Sequence, residues 1–399
     1  MTTRVAPSPY PVRSEDVRPT SGRVLVVMRW PVGGIRTHIL YNAPLAGERG
    51  YHFTFLGPDD ASFDTFAATF SALPGVEFVR VPPRRRSCPM WRAVRRELRT
   101  GRYDLLHAHG IIAAVHSVAG GFGIRVPRVA TLHDVFRPCH VAGWRGRVKR
   151  WLLGRVLRRL TAIVSVGDDV QANLLEYFPV LDGAAPRRVT IPNGIDVRKY
   201  ADVSPQSDDL RQRLGLRPET ALLGFLGRFM EQKGFLVLLD ALGRLSAEPP
   251  SVPFHLVAVG SGDYKREYRK DLGRRGLGDV VSLLDFTPDV RPILQQLDLL
   301  VMPSLWEASP LQPMEAMAAG VPVLGTDCIG LREVLRDTPA RVVPAGDPAA
   351  LAAGLREALE SPRTVEAREY AAEACRRFDN ERSARRLVEL YDELCVNRR

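Results

Sequence analysis

The chain has 399 residues, 45% hydrophobic and 25% charged, which is the composition of a soluble globular protein long enough for two cores. No apolar run approaches the roughly 18–20 residues of a membrane span. Five scattered cysteines (Cys88, Cys139, Cys328, Cys375, Cys395) without a C-x-x-C pair exclude a disulfide framework or zinc-ribbon site and point to a reducing cytoplasm. The net charge of +11 is uneven: residues 1–200 carry 30 Lys+Arg against 15 Asp+Glu, and residues 201–399 carry 26 against 30. The first half is therefore expected to face something anionic, such as a membrane surface, a phosphorylated acceptor or nucleic acid.

Residues 1–21, rich in Pro, Ser, Thr and Arg, read as a disordered leader. After them short apolar runs recur, each followed by a turn and a helical pattern. Strands are predicted at Arg23–Arg29, Tyr51–Leu56, Val76–Val81, Leu105–His109, Val129–Leu132 and Ala162–Val166. The turn Pro192-Asn193-Gly194 then breaks the chain. A first domain over 22–192 and a second over 193–380 follow, with a helical tail at 381–399. The second half predicts strands at Ala221–Leu226, Phe254–Val259, Val280–Leu284, Leu299–Met302, Val321–Leu324 and Arg341–Val343, with helices such as Gly234–Leu245 and Ser309–Ala319. Alternation of this kind indicates parallel sheets covered on both faces, an α/β class.

In such sheets ligands bind at the carboxyl ends of strands, where the unusual residues cluster. The first strand ends in Gly33-Gly34, which can bring backbone N–H groups to a phosphate or serve only as a turn; it is not a G-x-G-x-x-G dinucleotide fingerprint. His107 and His109 share one face of a strand. They could ligate a metal, but the sequence offers no third ligand, so a cleft-lining or core role is expected. Arg228 follows a strand and Lys233 precedes a helix, which suits a diphosphate clamp or simply two solvated charges. Gly260 sits in a second strand-to-glycine turn. Glu307 lies on a loop and Glu315 near a helix start, with Gly320 as a stop. Carboxylates suit vicinal diols, and the helix start suits phosphate; the plainer role for Glu315 is to complement the helix dipole.

Taken together, Gly33-Gly34, Thr131–Asp134 (TLHD), Val164–Val170, Ile191–Asp196 (IPNGID), Gly227–Gly234 (GRFMEQKG), Val259–Gly262 and Pro303–Val323 resemble the retaining glycosyltransferases of group 1, with their E-x7-E element. The resemblance implies a GT-B fold: two facing Rossmann-like domains, an active-site cleft and a C-terminal helix crossing back to the first domain. It implies a hexose or N-acetylhexosamine moved from a UDP- or GDP-linked sugar to an acceptor hydroxyl, with retention. The acceptor would be a sugar, a lipid-linked sugar or a small-molecule glycoside. Arg228 and Lys233 would hold the diphosphate, Glu307 the transferred sugar and Glu315 the ribose. Gly33, Gly34, Gly260, Leu311 and Gln312 would line the substrates, and His133 would stand beside the reacting sugar. No cofactor or metal is expected, since no two aspartates are separated by a single residue as in a D-x-D element. The sequence departs from the family where Ala308–Gln312 replaces a glycine-rich run and where Asp285 replaces a glycine.

A sugar-nucleotide 2-epimerase of the same architecture is the rival enzyme, and a basic binding protein with a degenerate site the rival non-enzyme; the intact E-x7-E and GRFMEQKG segments disfavour both. Trp144–Leu160 carries seven cations and no acid, with Trp144, Trp151, Leu152, Val156 and Leu160 at helical spacing. It reads either as an ordinary packed helix or as an element lying on an anionic membrane from the cytoplasmic side, with Arg84–Arg86, Arg92, Arg95 and Arg96 extending the patch. Nucleic acid is disfavoured because a recognition motif is missing.

Overall fold

The structure is a computed structural model and describes residues 22–71, 73–82, 90–183, 185–201, 209–262 and 264–396. The expected leader, Arg84–Arg86, Cys88 and most of the polar stretch before the second half lie outside the described residues.

Two parallel sheets form. The first contains β1 (Gly22–Met28), β2 (Tyr51–Pro58), β3 (Val76–Val81), β4 (Leu105–His109), β5 (Arg128–Leu132), β6 (Ala162–Ser165) and β7 (Arg187–Thr190), in the order β3-β2-β1-β4-β5-β6-β7. The second contains β8 (Ala221–Leu226), β9 (Phe254–Val259), β10 (Val281–Leu284), β11 (Leu299–Met302), β12 (Val323–Thr326) and β13 (Arg341–Val343), in the order β10-β9-β8-β11-β12-β13. Strands buried on both faces explain the unbroken apolar runs. In β1, Leu25 and Val27 enter one core while Val24, Val26 and Met28 enter the other, the alternation a strand imposes.

Two expectations need correction. Strand β7 went unpredicted because its four residues, Arg-Arg-Val-Thr, are half-exposed at a sheet edge and carry no apolar run. The helix expected over Ser309–Ala319 spans only Gln312–Ala318. Pro310 disfavours helical backbone at Ser309, whereas Pro313 fits the first turn.

Strand order reverses between β1 and β4 in one sheet and between β8 and β11 in the other, so each sheet opens a crevice at that point. The halves interlock around these crevices. Trp306, Ala308 and Ile329 pack against a core of the first sheet, and Tyr41 of the helix Gly34–Glu48 packs against a core of the second. The C-terminal helix Asn380–Val396 returns to the first half, burying Leu387, Val388, Leu390, Tyr391 and Leu394 in its core.

Candidate active site

One wall of the cleft is built on the loops after β8 and β11. Gly234, with φ of +64°, turns the chain from Lys233 into the helix Phe235–Ala247, and a Cβ there would sit 1.9 Å from the Pro303 carbonyl oxygen. Only glycine allows this approach, and it sets the Lys233 loop against the Glu307 loop. Leu305 N–H donates to the Gln232 carbonyl at 2.8 Å and locks the two loops together.

Lys233 and Glu307 are both buried. Lys233 Nζ donates to Glu307 Oε1 at 2.6 Å, and Ser304 Oγ donates to the same oxygen at 2.8 Å. Gln232 Nε2 reaches Oε2 at 3.3 Å. A buried carboxylate needs such partners, and these hold Glu307 in one orientation. Arg228 differs: it is exposed and forms no ion pair among the described residues. Its guanidinium lies 3.9 Å from where a Gly33 side chain would begin, so it spans the cleft to the turn after β1. Gly34 opens the first helix with free space around it.

Gln312 begins the helix Gln312–Ala318, Leu311 precedes it, and the Gln312 amide lies 4.0 Å from the Cβ position of Gly227. Glu315 accepts a hydrogen bond from the Tyr200 hydroxyl; burial raises its pKa more than that bond lowers it. Tyr41, from the first half, has its pKa pushed up to about 12 by burial and the nearby Glu315. Gly260 has a packing reason of its own: a Cβ there would lie 1.8 Å from the Gly227 carbonyl oxygen.

The first half contributes a cluster of imidazoles. His109 Nδ1 and His133 Nε2 share a hydrogen bond at 3.0 Å, and His38 from the first helix stands edge-on to His133, with ring centroids 4.9 Å apart. One ring nitrogen from each of His38, His109 and His133 falls within 4.8 Å of the others, so a third imidazole exists where the sequence reading found none. His107 instead belongs to the core, where its nitrogens meet the hydroxyls of Tyr391 at 2.5 Å and Thr131 at 2.7 Å. Burial lowers all four imidazole pKa values, His38 to about 4 and His107 to about 3, so the cluster is neutral near pH 7.

Asn193 of the predicted turn joins the two sides. Its Nδ2 donates to the Ser309 carbonyl at 3.0 Å, so its Oδ1 accepts from His38 Nδ1–H at 3.1 Å. That arrangement leaves His38 Nε2 as a bare acceptor, and it has no partner in the structure. A second contact between the halves lies beside Glu307. Arg332 forks onto Asp169 at 2.8 and 2.9 Å, Gly330 N–H donates to Asp169 Oδ2 at 2.9 Å, and Glu333 accepts from the N–H groups of Asp168 and Asp169. The adjacent Ile329 carbonyl accepts from Glu307 N–H at 3.0 Å. Arg137 covers the ring of Trp306 at 3.8 Å.

Of the residues singled out in the sequence, Lys233 and Glu307 come into contact, Arg228 approaches Gly33, and His133 joins His109; Ser304, Gln232, Tyr200, His38 and the Asp169–Arg332 contact were not singled out. Asn193, Gln232, Ser304 and Asp169 lie inside the segments that carry the resemblance; Tyr200 reaches Glu315 within the second half, and His38 and Arg332 gain their partners only where the halves face each other.

The chain is similar to known proteins. The family model described as Glycosyltransferase Family 4 matches residues 32–199, and that described as Glycosyl transferases group 1 matches residues 220–361. Phosphatidyl-myo-inositol mannosyltransferase of Mycobacterium leprae is 30% identical over 92% of this chain and 94% of its own length. 2-Deoxystreptamine N-acetyl-D-glucosaminyltransferase of Streptomyces fradiae is 30% identical over 65% of this chain and 64% of its own. Among solved structures, Anabaena HepE in complex with UDP and glucose superposes with a TM-score of 0.78 at 22% identity, covering 93% of this chain and 100% of that one.

Proposed function

Because the chain belongs to the group 1 glycosyltransferases, we propose that it transfers a hexose or N-acetylhexosamine, with retention, from a UDP- or GDP-linked donor to an acceptor hydroxyl. The buried Lys233–Glu307 pair beside the unpaired Arg228 carries this reading. As the bond from the sugar's anomeric carbon to the diphosphate breaks, negative charge grows on the departing phosphate. Lys233 keeps one N–H on Glu307 and has two left for phosphate oxygens, and Arg228 supplies a fork from the cleft mouth. Both stabilise the transition state more than the ground state.

Glu307 is a poor nucleophile in this arrangement, since Lys233 and Ser304 occupy Oε1 and Gln232 occupies Oε2. It serves as an acceptor for sugar hydroxyls. The reaction then proceeds on one face: the acceptor oxygen bonds to the anomeric carbon as the phosphate leaves, and the acceptor proton passes to the departing phosphate oxygen. His133, the least buried of the three clustered imidazoles, is a neutral group for sugar hydroxyls, held in place by His109 and His38. Glu315 and Tyr200 form the ribose site. The chemistry asks for no metal, because the two cations balance the diphosphate. The acceptor class remains a sugar, a lipid-linked sugar or a small-molecule glycoside.

The test is a thermal-shift screen against UDP- and GDP-sugars, followed by NMR of the product's anomeric configuration. The expected result is stabilisation by one nucleotide series and a retained anomer. Inversion, or an epimerised free sugar nucleotide, would overturn the proposal. EDTA should leave the rate intact; loss restored by Mg²⁺ or Zn²⁺ would overturn metal independence.

A further inference from the structure

The helix Gly143–Leu157 breaks the usual rule for a surface helix. Its inner face is already occupied: Leu153, Val156 and Leu157 pack against a core of the first sheet. Yet Trp144, Val148, Trp151 and Leu152 are also exposed, at 65%, 48%, 59% and 51%. At 3.6 residues per turn these four fall within an arc of roughly 100°. The outer face therefore carries an apolar stripe that the fold itself does not bury.

Charge flanks the stripe. Arg145, Arg147, Lys149, Arg150 and Arg155 are exposed, and none forms an ion pair among the described residues. Arg145 lies over the Trp144 ring at 5.3 Å and Arg155 over Trp151 at 4.8 Å, so cations and indoles occupy one surface. No acid occurs between Trp144 and Leu160. The surface continues past the helix end, where Arg159 covers the exposed ring of Phe122 at 5.6 Å.

We infer that this helix docks the protein onto an anionic lipid bilayer. A bilayer surface meets both halves of the pattern at once. Indoles and aliphatic side chains seat at the boundary between headgroup and acyl chain, while the flanking cations, on flexible stems, reach lipid phosphates. A nucleic acid backbone would satisfy the cations and leave the Val148 and Leu152 surface in water. No helix of the described residues is long and apolar enough to cross a membrane, so the contact is a surface one. The inference does not depend on the transfer reaction. The helix follows His133 and Arg137 along the chain, and Arg137 covers Trp306 beside Glu307.

The test uses the full chain and sedimentation with vesicles of phosphatidylcholine, with and without phosphatidylglycerol. Two variants separate the components: Trp144→Ala/Trp151→Ala/Leu152→Ala removes the stripe, and Arg147→Glu/Lys149→Glu/Arg150→Glu reverses the charge. Unchanged melting temperature confirms that each folds. The wild type should bind the anionic vesicles preferentially, with a blue shift of tryptophan emission. Each reversed charge should lower partitioning by about fivefold or more. The stripe variant should lose binding and the blue shift together. Equal sedimentation of the wild type and both variants would overturn the inference. So would binding that needs only the charges and is matched by a single-stranded nucleic acid, since that marks a general polyanion surface.

Discussion

The donor floor and the imidazole cluster face each other across one cleft and solve opposite problems. In one wall of the cleft a buried cation and a buried anion hold each other in place, with Ser304 sharing Glu307 Oε1 and Gln232 taking one of the two acceptor positions on Oε2, so that one position stays open. Among the imidazoles burial has the reverse result: His38, His109 and His133, with His107 in the core behind them, are held neutral, and one of them keeps a nitrogen without a partner. In the proposed reaction charge is wanted on one wall only. A departing diphosphate gains from fixed positive charge, whereas a sugar offers only neutral hydroxyls, for which a neutral, oriented acceptor suffices.

The largest expected effect lies on the donor floor. Lys233→Ala should lower kcat/KM by roughly 10²–10³-fold, the cost of removing one preorganised donor to the developing charge. It also strands Glu307, so Lys233→Ala/Glu307→Gln should cost far less than the product of the single changes. Steady-state kinetics on the three variants checks this. Full additivity would mean that the two residues act apart, and the pairing on which the comparison rests would break.

A smaller effect is expected across the cleft. His133→Asn should reduce kcat/KM by roughly 10–100-fold through an unsatisfied polar contact. The wild-type rate should show no imidazole limb between about pH 6 and 8, because burial holds these groups below their ordinary value of 6.5. A limb near 6.5 that disappears in His133→Asn would show a charged imidazole and erase the contrast with the donor floor.

The same burial has a stability consequence. His38 and His107 are depressed from 6.5 to about 4 and about 3. Between those values and 6.5 the unfolded chain binds protons that the folded chain does not. Stability is therefore full above about pH 6.5 and falls on acidification, by up to about 1.4 kcal/mol per pH unit for each histidine. Melting temperatures from pH 7 down to pH 4.5 check the slope. His107→Asn, which removes one such titration, should flatten it at some cost in stability at pH 7.

The donor floor was far more legible in the sequence than the acceptor side, for a physical reason. Arg228, Lys233, Glu307 and Glu315 sit on loops and a helix start directly after β8 and β11, so the rule of strand carboxyl ends puts them in the crevice, while the roles expected of them came from the resemblance and not from local pattern. His38 sits mid-helix at a position that reads as ordinary amphipathic spacing, and only the approach of Asn193 and Ser309 from the other half fixes its tautomer. His107 and His109 were placed on one strand face, yet one became core and the other cleft. The parallel sheets followed from the apolar runs, while β7 was lost because an edge strand of this composition needs no such run. What depended on contact between the halves was not legible, and the Asp169–Arg332 contact is the clearest case: an Asp-Asp pair and an Arg-Glu pair about 160 residues apart along the chain carry no mutual signal.

That contact gives the smallest expected effect. Burial alone would raise the Asp169 pKa, but the Arg332 fork and the Gly330 N–H outweigh it and hold the carboxyl below its ordinary value. Its contribution is then present above the ordinary carboxylate range and lost as pH falls through the depressed value. Arg332 is half-exposed, so solvent screening limits the energy, and Arg332→Ala should lower kcat/KM by no more than about fivefold. The signature lies in its form. Since Gly330 and Ile329 connect Asp169 to the Glu307 backbone, the loss should appear with the halves' closure: a larger radius of gyration by X-ray scattering with UDP or GDP bound, and a weaker salt dependence of the rate than in the wild type. Asp169→Asn should give the same change, and the double variant no more than either alone. If Arg332→Ala shifts kcat with no change in scattering or salt dependence, the contact is local to the donor loop, and the two sides of the cleft are set independently.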